Sequence, residues 1–268
     1  MDPIRGVSRL SNPPAAWTDT GLYNIAAVHD WAVDLLIRGA SVVDGGGGPA
    51  YTADILVIGE RIVGVTDSRV VRSAGRVLDA DGLVAAPGFV DIHSHSDYYL
   101  FLAPTADSSL RQGVTLEIAG NCGYAPAPIW GTWQAERTEE YRSMYGLECQ
   151  WHTLEEYFAA LEAVRPAVNY GQLIGHNTLR GSATSGAARP VTSEELRAML
   201  EAARRGMRAG ALGLSTGLAY PPACYAEPSE LVYLARLVRE EGGILAAHLR
   251  SEGDGLLDAL DEALAVAR

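Results

Sequence analysis

The sequence predicts an α/β fold in which a small β-rich segment precedes a (β/α)8 TIM-type barrel, with only about five of the eight β/α units present. Three observations carry this expectation. From Pro87 onward, short apolar strands alternate with amphipathic helices, the pattern of a parallel sheet covered by helices. Before Pro87 the apolar runs are short, rich in β-branched residues and punctuated by glycine. Histidines and one cysteine then fall at or just after the predicted C-terminal ends of strands, where the active sites of such barrels lie.

Residues 1–32 show no clear periodicity and read as a flexible N-terminal extension. The run DLLIRGASVV (residues 34–43) is a strand that stops at GGGGP. Residues 54–58 and 61–65 form a hairpin about Gly59-Glu60, and 76–79 and 83–86 add short strands, so 33–86 is a small β segment. Barrel strands are predicted at 89–93, 114–119, 170–174, 211–215 and 243–248. Residues 131–165 form an insertion after the second of these, rich in Trp, Tyr and Glu, with a helix at 154–164. Thr192 and Glu195 make a capping box for a helix with Leu196, Met199, Leu200, Ala203 and Met207 on one face, closed by Gly210. Pro228 opens the next helix and Gly242-Gly243 ends it. A last helix begins near Gly255, with Leu256, Leu257, Leu260, Leu264 and Ala267 as its apolar face. A closed barrel needs eight strands and roughly 250 residues, so 87–268 reads as a partial one.

A net charge of −12 with no basic stripe argues against a nucleic-acid partner. No apolar run reaches the ~20 residues of a membrane helix, and no signal-peptide core is visible, which points to a cytoplasmic protein. The cysteines, Cys122, Cys149 and Cys224, are widely spaced and odd in number, so no disulfide framework is expected. All 21 basic residues are Arg. Without a lysine the chain can form neither a Schiff base nor a carboxylated lysine.

The chemistry concentrates in a few segments. In PGFVDIHSHSD (residues 87–97), side chains alternate along the predicted strand. Asp91, His93 and His95 are therefore expected on the face toward the barrel axis, and Val90 and Ile92 on the face that packs against helices. Two imidazoles at i and i+2 in that position can hold one metal ion. Directly after the second strand, GNCG sets Cys122 among glycines that let the backbone bend. Its thiol is either a soft zinc ligand or a buried structural group. His248, in AAHLRSE, ends the fifth strand and is either a further ligand or structural. His176, in GHNTLR, is read as fixing a loop. Ser215, in LSTGLAYPP, is read as a loop residue, since no G-x-S-x-G elbow surrounds it. His29, His152, Cys149 and Cys224 lie outside the strand-end pattern and are read as structural or exposed.

In this order, DLLIRGASVVDGGG, PGFVDIHSHSD, GNCG, GHNTLR, LGLSTGLAYPP and AAHLRSEGD resemble the D-aminoacylase (N-acyl-D-amino-acid deacylase) branch of the amidohydrolase superfamily, from about Asp34 to the end. The His-x-His strand is common to the superfamily, whereas GNCG and STGLAYPP are particular to this branch. The resemblance implies a barrel of the metal-dependent hydrolase type with a small β-sandwich, and one or two zinc ions. It implies hydrolysis of the amide bond of a small N-acyl-D-amino acid to a carboxylic acid and a D-amino acid. It also implies that His93, His95 and His248 are metal ligands. Cys122 would bridge metal in place of the carboxylated lysine that many relatives carry on the fourth strand.

The branch's further histidine ligand, from the sixth strand, and its general acid/base aspartate, from the eighth, fall beyond Arg268, the last residue of the sequence. The chain is therefore expected to be the N-terminal part of a longer enzyme or a gene fragment, and Asp97 is not expected to replace that aspartate. Two other readings stay open. One is a cyclic amidase of the dihydroorotase or hydantoinase kind, against which GNCG and the absent lysine count. The other is an inactive, metal-binding fragment.

Overall fold

The computed structural model describes residues 32–66 and 73–268. The expected N-terminal extension, His29 included, lies outside the described residues, apart from Ala32, which opens the first strand. The chain divides into two compact units between Pro87 and Gly88.

The first unit is a mixed sheet of β1 (Ala32–Val42), β2 (Tyr51–Ile58), β3 (Arg61–Thr66), β4 (Ser73–Asp79) and β5 (Val84–Ala85), ordered β3-β2-β1-β4 with β5 also on β1. The β2–β3 hairpin turns at Gly59, whose φ is 57°. In β1 the register shifts between Ile37 and Ala40. There Gly39 takes a φ of 71° and donates its N–H to Asp54 Oδ1 at 2.8 Å. A side chain on the neighbouring strand thus satisfies the amide that the bulge removes from the ladder.

The second unit is a partial (β/α) barrel. Its parallel sheet runs β10-β9-β8-β7-β6, with β6 (Phe89–Asp91), β7 (Val114–Ala119), β8 (Asn169–Gly175), β9 (Gly213–Gly217) and β10 (Ile244–His248). The helices are α1 (Tyr99–Leu102), α2 (Asp107–Leu110), α3 (Gly131–Tyr145), α4 (Leu154–Val164), α5 (His176–Thr184), α6 (Ser193–Ala209), α7 (Pro228–Glu240) and α8 (Leu256–Ala267). Leu154, Tyr157, Ile174, Leu179, Met199, Leu214 and Leu234 fill the layer between helices and sheet.

The capping box at Thr192 is formed, and Gly210 ends α6 in the left-handed region. Arg189 reinforces it with a two-pronged pair to Glu195, at 2.9 and 2.6 Å. Arg189 and the Thr192 amide outweigh partial burial and hold the Glu195 carboxyl down at about 2. A carboxyl depressed in the folded state stabilises the fold above its unfolded pKa, and that contribution is lost as pH falls toward the folded value. Glu195→Gln keeps the capping box but loses the charge pair with Arg189, so it is expected to lower stability by about 0.5–1 kcal/mol at neutral pH, and the gap should close between pH 5 and pH 2. Thermal melts of both proteins across that range check it; a gap independent of pH would contradict it.

Three expectations are corrected. Strand β6, at the edge of the sheet, stops at Asp91, and Phe89, Val90 and Ile92 are exposed, 64 %, 52 % and 73 %, rather than packed under helices. Helix α3 lies within the insertion, where the sequence predicts only α4. It buries no residue fully, so it has no apolar stripe to betray it. In α8 the buried residues are Ala259 and Val266, while Leu256, Leu257, Leu260 and Leu264 are exposed. Leucine periodicity marks the helix, but packing against α7 selects a different face. No helix among the described residues is long and apolar enough to cross a membrane.

Candidate metal centre

The site begins where β6 ends. Asp91 Oδ1 accepts the N–H of His93 at 3.1 Å, a local carboxylate-to-backbone turn that competes with the strand ladder. His93 and His95 therefore stand on the bend after β6 rather than on the strand, with the Asp91 carboxylate engaged by the turn. Their ring centroids are 5.4 Å apart. The serines between and after them bind Glu117, a buried residue of β7. Ser94 Oγ donates to Glu117 Oε2 at 3.1 Å, Ser96 Oγ donates to the same oxygen, and Ser109 Oγ donates to the other. One buried carboxylate thus accepts three hydroxyls and fixes the loop that carries both imidazoles. Asp97, also buried, accepts from Gln172 Nε2 at 3.1 Å and Tyr170 Oη at 3.2 Å. Burial pushes its carboxyl up to about 6 against those hydrogen bonds.

The thiol arrives on the turn after β7. Gly120, Cys122 and Gly123 all adopt positive φ, 78°, 53° and 79°. That conformation costs a residue with a β-carbon roughly 1–2 kcal/mol, so Cys122 stays there only because its surroundings over-determine the backbone. Asn121 Nδ2 donates to Ile118 O at 2.9 Å. Ser215 Oγ donates to Gly120 O and accepts the N–H of Gly123 at 2.9 Å. A β-carbon at Gly123 would collide with Asn177 Oδ1, and one at Gly217 with Cys122 O. Asn177 in turn accepts the N–H of Gly217 at 3.0 Å, and Thr178 Oγ1 bridges both backbone groups of Ala125 at 3.0 Å. Ser215 is thus a fully buried residue in the middle of β9, not a loop residue. Likewise the segment HNTLR is the start of α5, not a loop.

His176 is fully buried. Its Nδ1 lies 2.8 Å from Thr216 Oγ1 and its Nε2 2.8 Å from Glu230 Oε1. Arg180, equally buried, pairs with the other Glu230 oxygen and donates to Pro222 O at 2.8 Å. Burial opposes ionisation of Glu230, but His176 and Arg180 outweigh it and hold the carboxyl below its usual range. His176 therefore ties α5 to β9 and α7.

His93, His95 and Cys122 come together: each offers a ligand atom, and these atoms all lie within 4.8 Å of one another. His93 Nε2 is 3.3 Å from Cys122 Sγ. His248, the last residue of β10, is not in that group of three. Its Nδ1 stands 3.8 Å from Cys122 Sγ, its Nε2 lies 3.3 Å from Glu252 Oε1, and Tyr220 Oη is 3.3 Å from Nδ1. Tyr220 and Glu252 were not singled out from the sequence, although both sit inside segments that were. The Tyr220 contact with His248 exists only once β9 and β10 pair, whereas Glu252 lies four residues beyond His248 in the chain. His152 is exposed and Cys149 buried, while Cys224 is half-buried on a short 3-10 turn, Ala223–Tyr225.

Burial, then the neighbouring His93, lowers the pKa of His95, which favours the neutral imidazole whose lone pair can bind a cation. Burial, then Glu252, raises the Cys122 thiol. Two imidazoles and one thiol at this spacing are the borderline-soft donor set of a zinc-type ion, and a cation among them favours the thiolate. The residues present fit such an ion.

Residues 76–254 match the sequence model of the amidohydrolase family. N-acyl-D-glutamate deacylase of Alcaligenes xylosoxydans xylosoxydans is 41% identical over 238 residues, covering 88% of this chain and 48% of the relative. D-aminoacylase of the same organism is 37% identical over 235 residues, covering 88% and 48%. Among solved structures, N-acyl-D-glutamate deacylase from Bordetella bronchiseptica, complexed with zinc and a phosphonate inhibitor that mimics the tetrahedral intermediate, superposes with a TM-score of 0.81 at 34% identity, covering 89% of this chain and 49% of that one. An L-hydantoinase from Arthrobacter aurescens, 18% identical over 88% of this chain and 44% of its own, has a TM-score of 0.54 and shares the fold. The chain spans about half the length of the curated relatives it matches.

Proposed function

The chain belongs to the amidohydrolase family, and on that footing we propose that it carries the metal-binding half of a zinc-dependent deacylase acting on N-acyl-D-amino acids. One observation carries the reading: a cysteine held in a left-handed turn delivers its sulfur to two loop histidines. The chain's similarity to relatives named N-acyl-D-glutamate deacylase and D-aminoacylase supports the same substrate class. His93, His95, Cys122 and His248 are the residues that would hold metal. When bound, zinc supplies the Lewis acidity that lowers the pKa of a water and polarises an amide carbonyl.

The rest of the assembly positions these side chains. Glu117 sets the histidine loop through its three serines. Ser215 and Asn177 lock the cysteine turn. Tyr220 Oη stands 3.3 and 3.4 Å from the two ring nitrogens of His248, and Glu252 lies 3.3 Å from Nε2. The substrate is a small molecule.

Joined to the remaining half that its relatives contain and loaded with zinc, the chain is expected to release D-amino acids from their N-acetyl derivatives in preference to the L-forms. Chelation should bring the rate to background, and added zinc should restore it. Turnover of the L-series, or of a cyclic ureide instead, would overturn the reading.

A further inference from the structure

A cavity of about 190 Å³ opens beside His95, and nothing in the proposed chemistry so far uses it. Its far wall is α3. Trp133, Arg137 and Tyr141 line it at i, i+4 and i+8, one residue per turn of one helix face. Tyr98, Tyr99 and Tyr124 complete an aromatic enclosure. The wall is built rather than incidental. The Trp133 ring lies so close to Gly181 of α5 that a β-carbon there would collide with it. Tyr141 stacks on Tyr98 with centroids 3.7 Å apart. This explains a helix with no fully buried residue: its one specific face serves the cavity.

The polar groups of the lining are largely engaged. Arg137 is the one guanidinium among the lining residues. It pairs with Glu140 at 2.5 Å and lies over the Trp133 ring, 5.0 Å from its centroid. Tyr124 Oη donates to Pro221 O at 2.6 Å, and Thr178 Oγ1 is taken by Ala125. Asp97 adds a carboxylate to the lining. A site with its cation paired and a second carboxylate nearby disfavours the substrate's own carboxylate, while the ring faces favour apolar and aromatic groups.

From this we infer that the cavity is the acyl subsite, and that it takes an aryl-bearing or long acyl group in preference to acetyl. The inference rests on the deacylase reading for the identity of the substrate. The acyl substituent is bonded directly to the carbonyl carbon, so it must leave the metal site through an adjoining space, and this cavity shares His95 with that site. An acetyl methyl occupies about the volume of one water, on the order of 30 Å³, and would leave most of the space unfilled.

Direct binding tests this without turnover. The metal-free full chain, labelled with 15N in its indoles, is titrated with N-phenylacetyl-D-glutamate, N-acetyl-D-glutamate and N-acetyl-D-phenylalanine. The phenylacetyl compound is expected to bind at least 10-fold more tightly than the acetyl one and to shift the Trp133 indole signal. In Trp133→Ala, and independently in Tyr141→Ala, the ratio should fall below 3. Equal affinities with a silent Trp133, or no binding of any of the three, would overturn the inference. So would a Trp133 response to N-acetyl-D-phenylalanine, which would assign the cavity to the amino-acid side chain. If Trp133 responds as expected but the zinc-loaded protein, joined to the half its relatives contain, turns over N-acyl-L-amino acids or cyclic ureides instead, the aryl preference of the cavity stands and the deacylase reading falls.

Discussion

Cys122→Ser is expected to weaken zinc binding by more than the ~10–100-fold that loss of an outer-shell partner typically costs, and to remove hydrolysis with it. The substitution leaves both histidines and the turn in place but exchanges the sulfur for a far weaker donor. Competition against a chromophoric chelator measures the affinity. Cobalt substitution gives an independent signature, since the sulfur-to-cobalt charge-transfer band should be present in the parent chain and absent from the variant. An unchanged affinity with the band intact would remove Cys122 from the ligand set. A companion variant separates ligation from folding. Cys122→Gly relieves a φ of 53° that costs a side chain roughly 1–2 kcal/mol, so the metal-free variant should be at least as stable as the parent while binding zinc no better than Cys122→Ser. Stability is being given up at this position for the placement of a sulfur atom.

Glu230→Leu should produce the largest loss of stability, about 3–5 kcal/mol, because it strands the buried Arg180 guanidinium without its counter-charge. Domains of this kind have only about 5–15 kcal/mol in total, so urea denaturation will show the midpoint shift plainly. The effect should reach the metal centre. Asn177 and Thr178 sit on the same helix as His176 and Arg180, and they hold Gly217 and Ala125 on either side of the cysteine turn. Zinc affinity is therefore expected to fall as well, although Glu230 touches none of the candidate ligands. A loss below 1 kcal/mol would mean that the triad of His176, Arg180 and Glu230 does not anchor α5.

Much of this molecule is legible in its sequence. The alternation of strand and helix from Pro87 onward specifies the parallel sheet, since both periods are printed in the apolar residues. The capping box at Thr192, the proline at α7 and the glycine at the end of α6 mark their helices because local backbone chemistry is decided within a few residues. His93, His95, Cys122 and His248 stand out because strand ends are where such sheets collect chemistry. What stays hidden are relations that only tertiary pairing creates. Ser215 reads as an idle hydroxyl, yet it clamps the cysteine turn from 95 residues away in sequence. Glu117 looks like an ordinary strand residue, and three serines from two other segments make it the anchor of the histidine loop. Helix α3 escapes notice because its specific face is aromatic and cationic rather than apolar.

For the histidine pair itself, residue type and spacing announce two donors close together, which is a property of a short stretch of chain. The tertiary structure decides that both stand beyond the end of β6, that Cys122 meets them from the turn after the next strand, and that His248 approaches the three-residue group through its sulfur. Those positions follow from buried hydrogen bonds between distant segments, and no local sequence pattern records them.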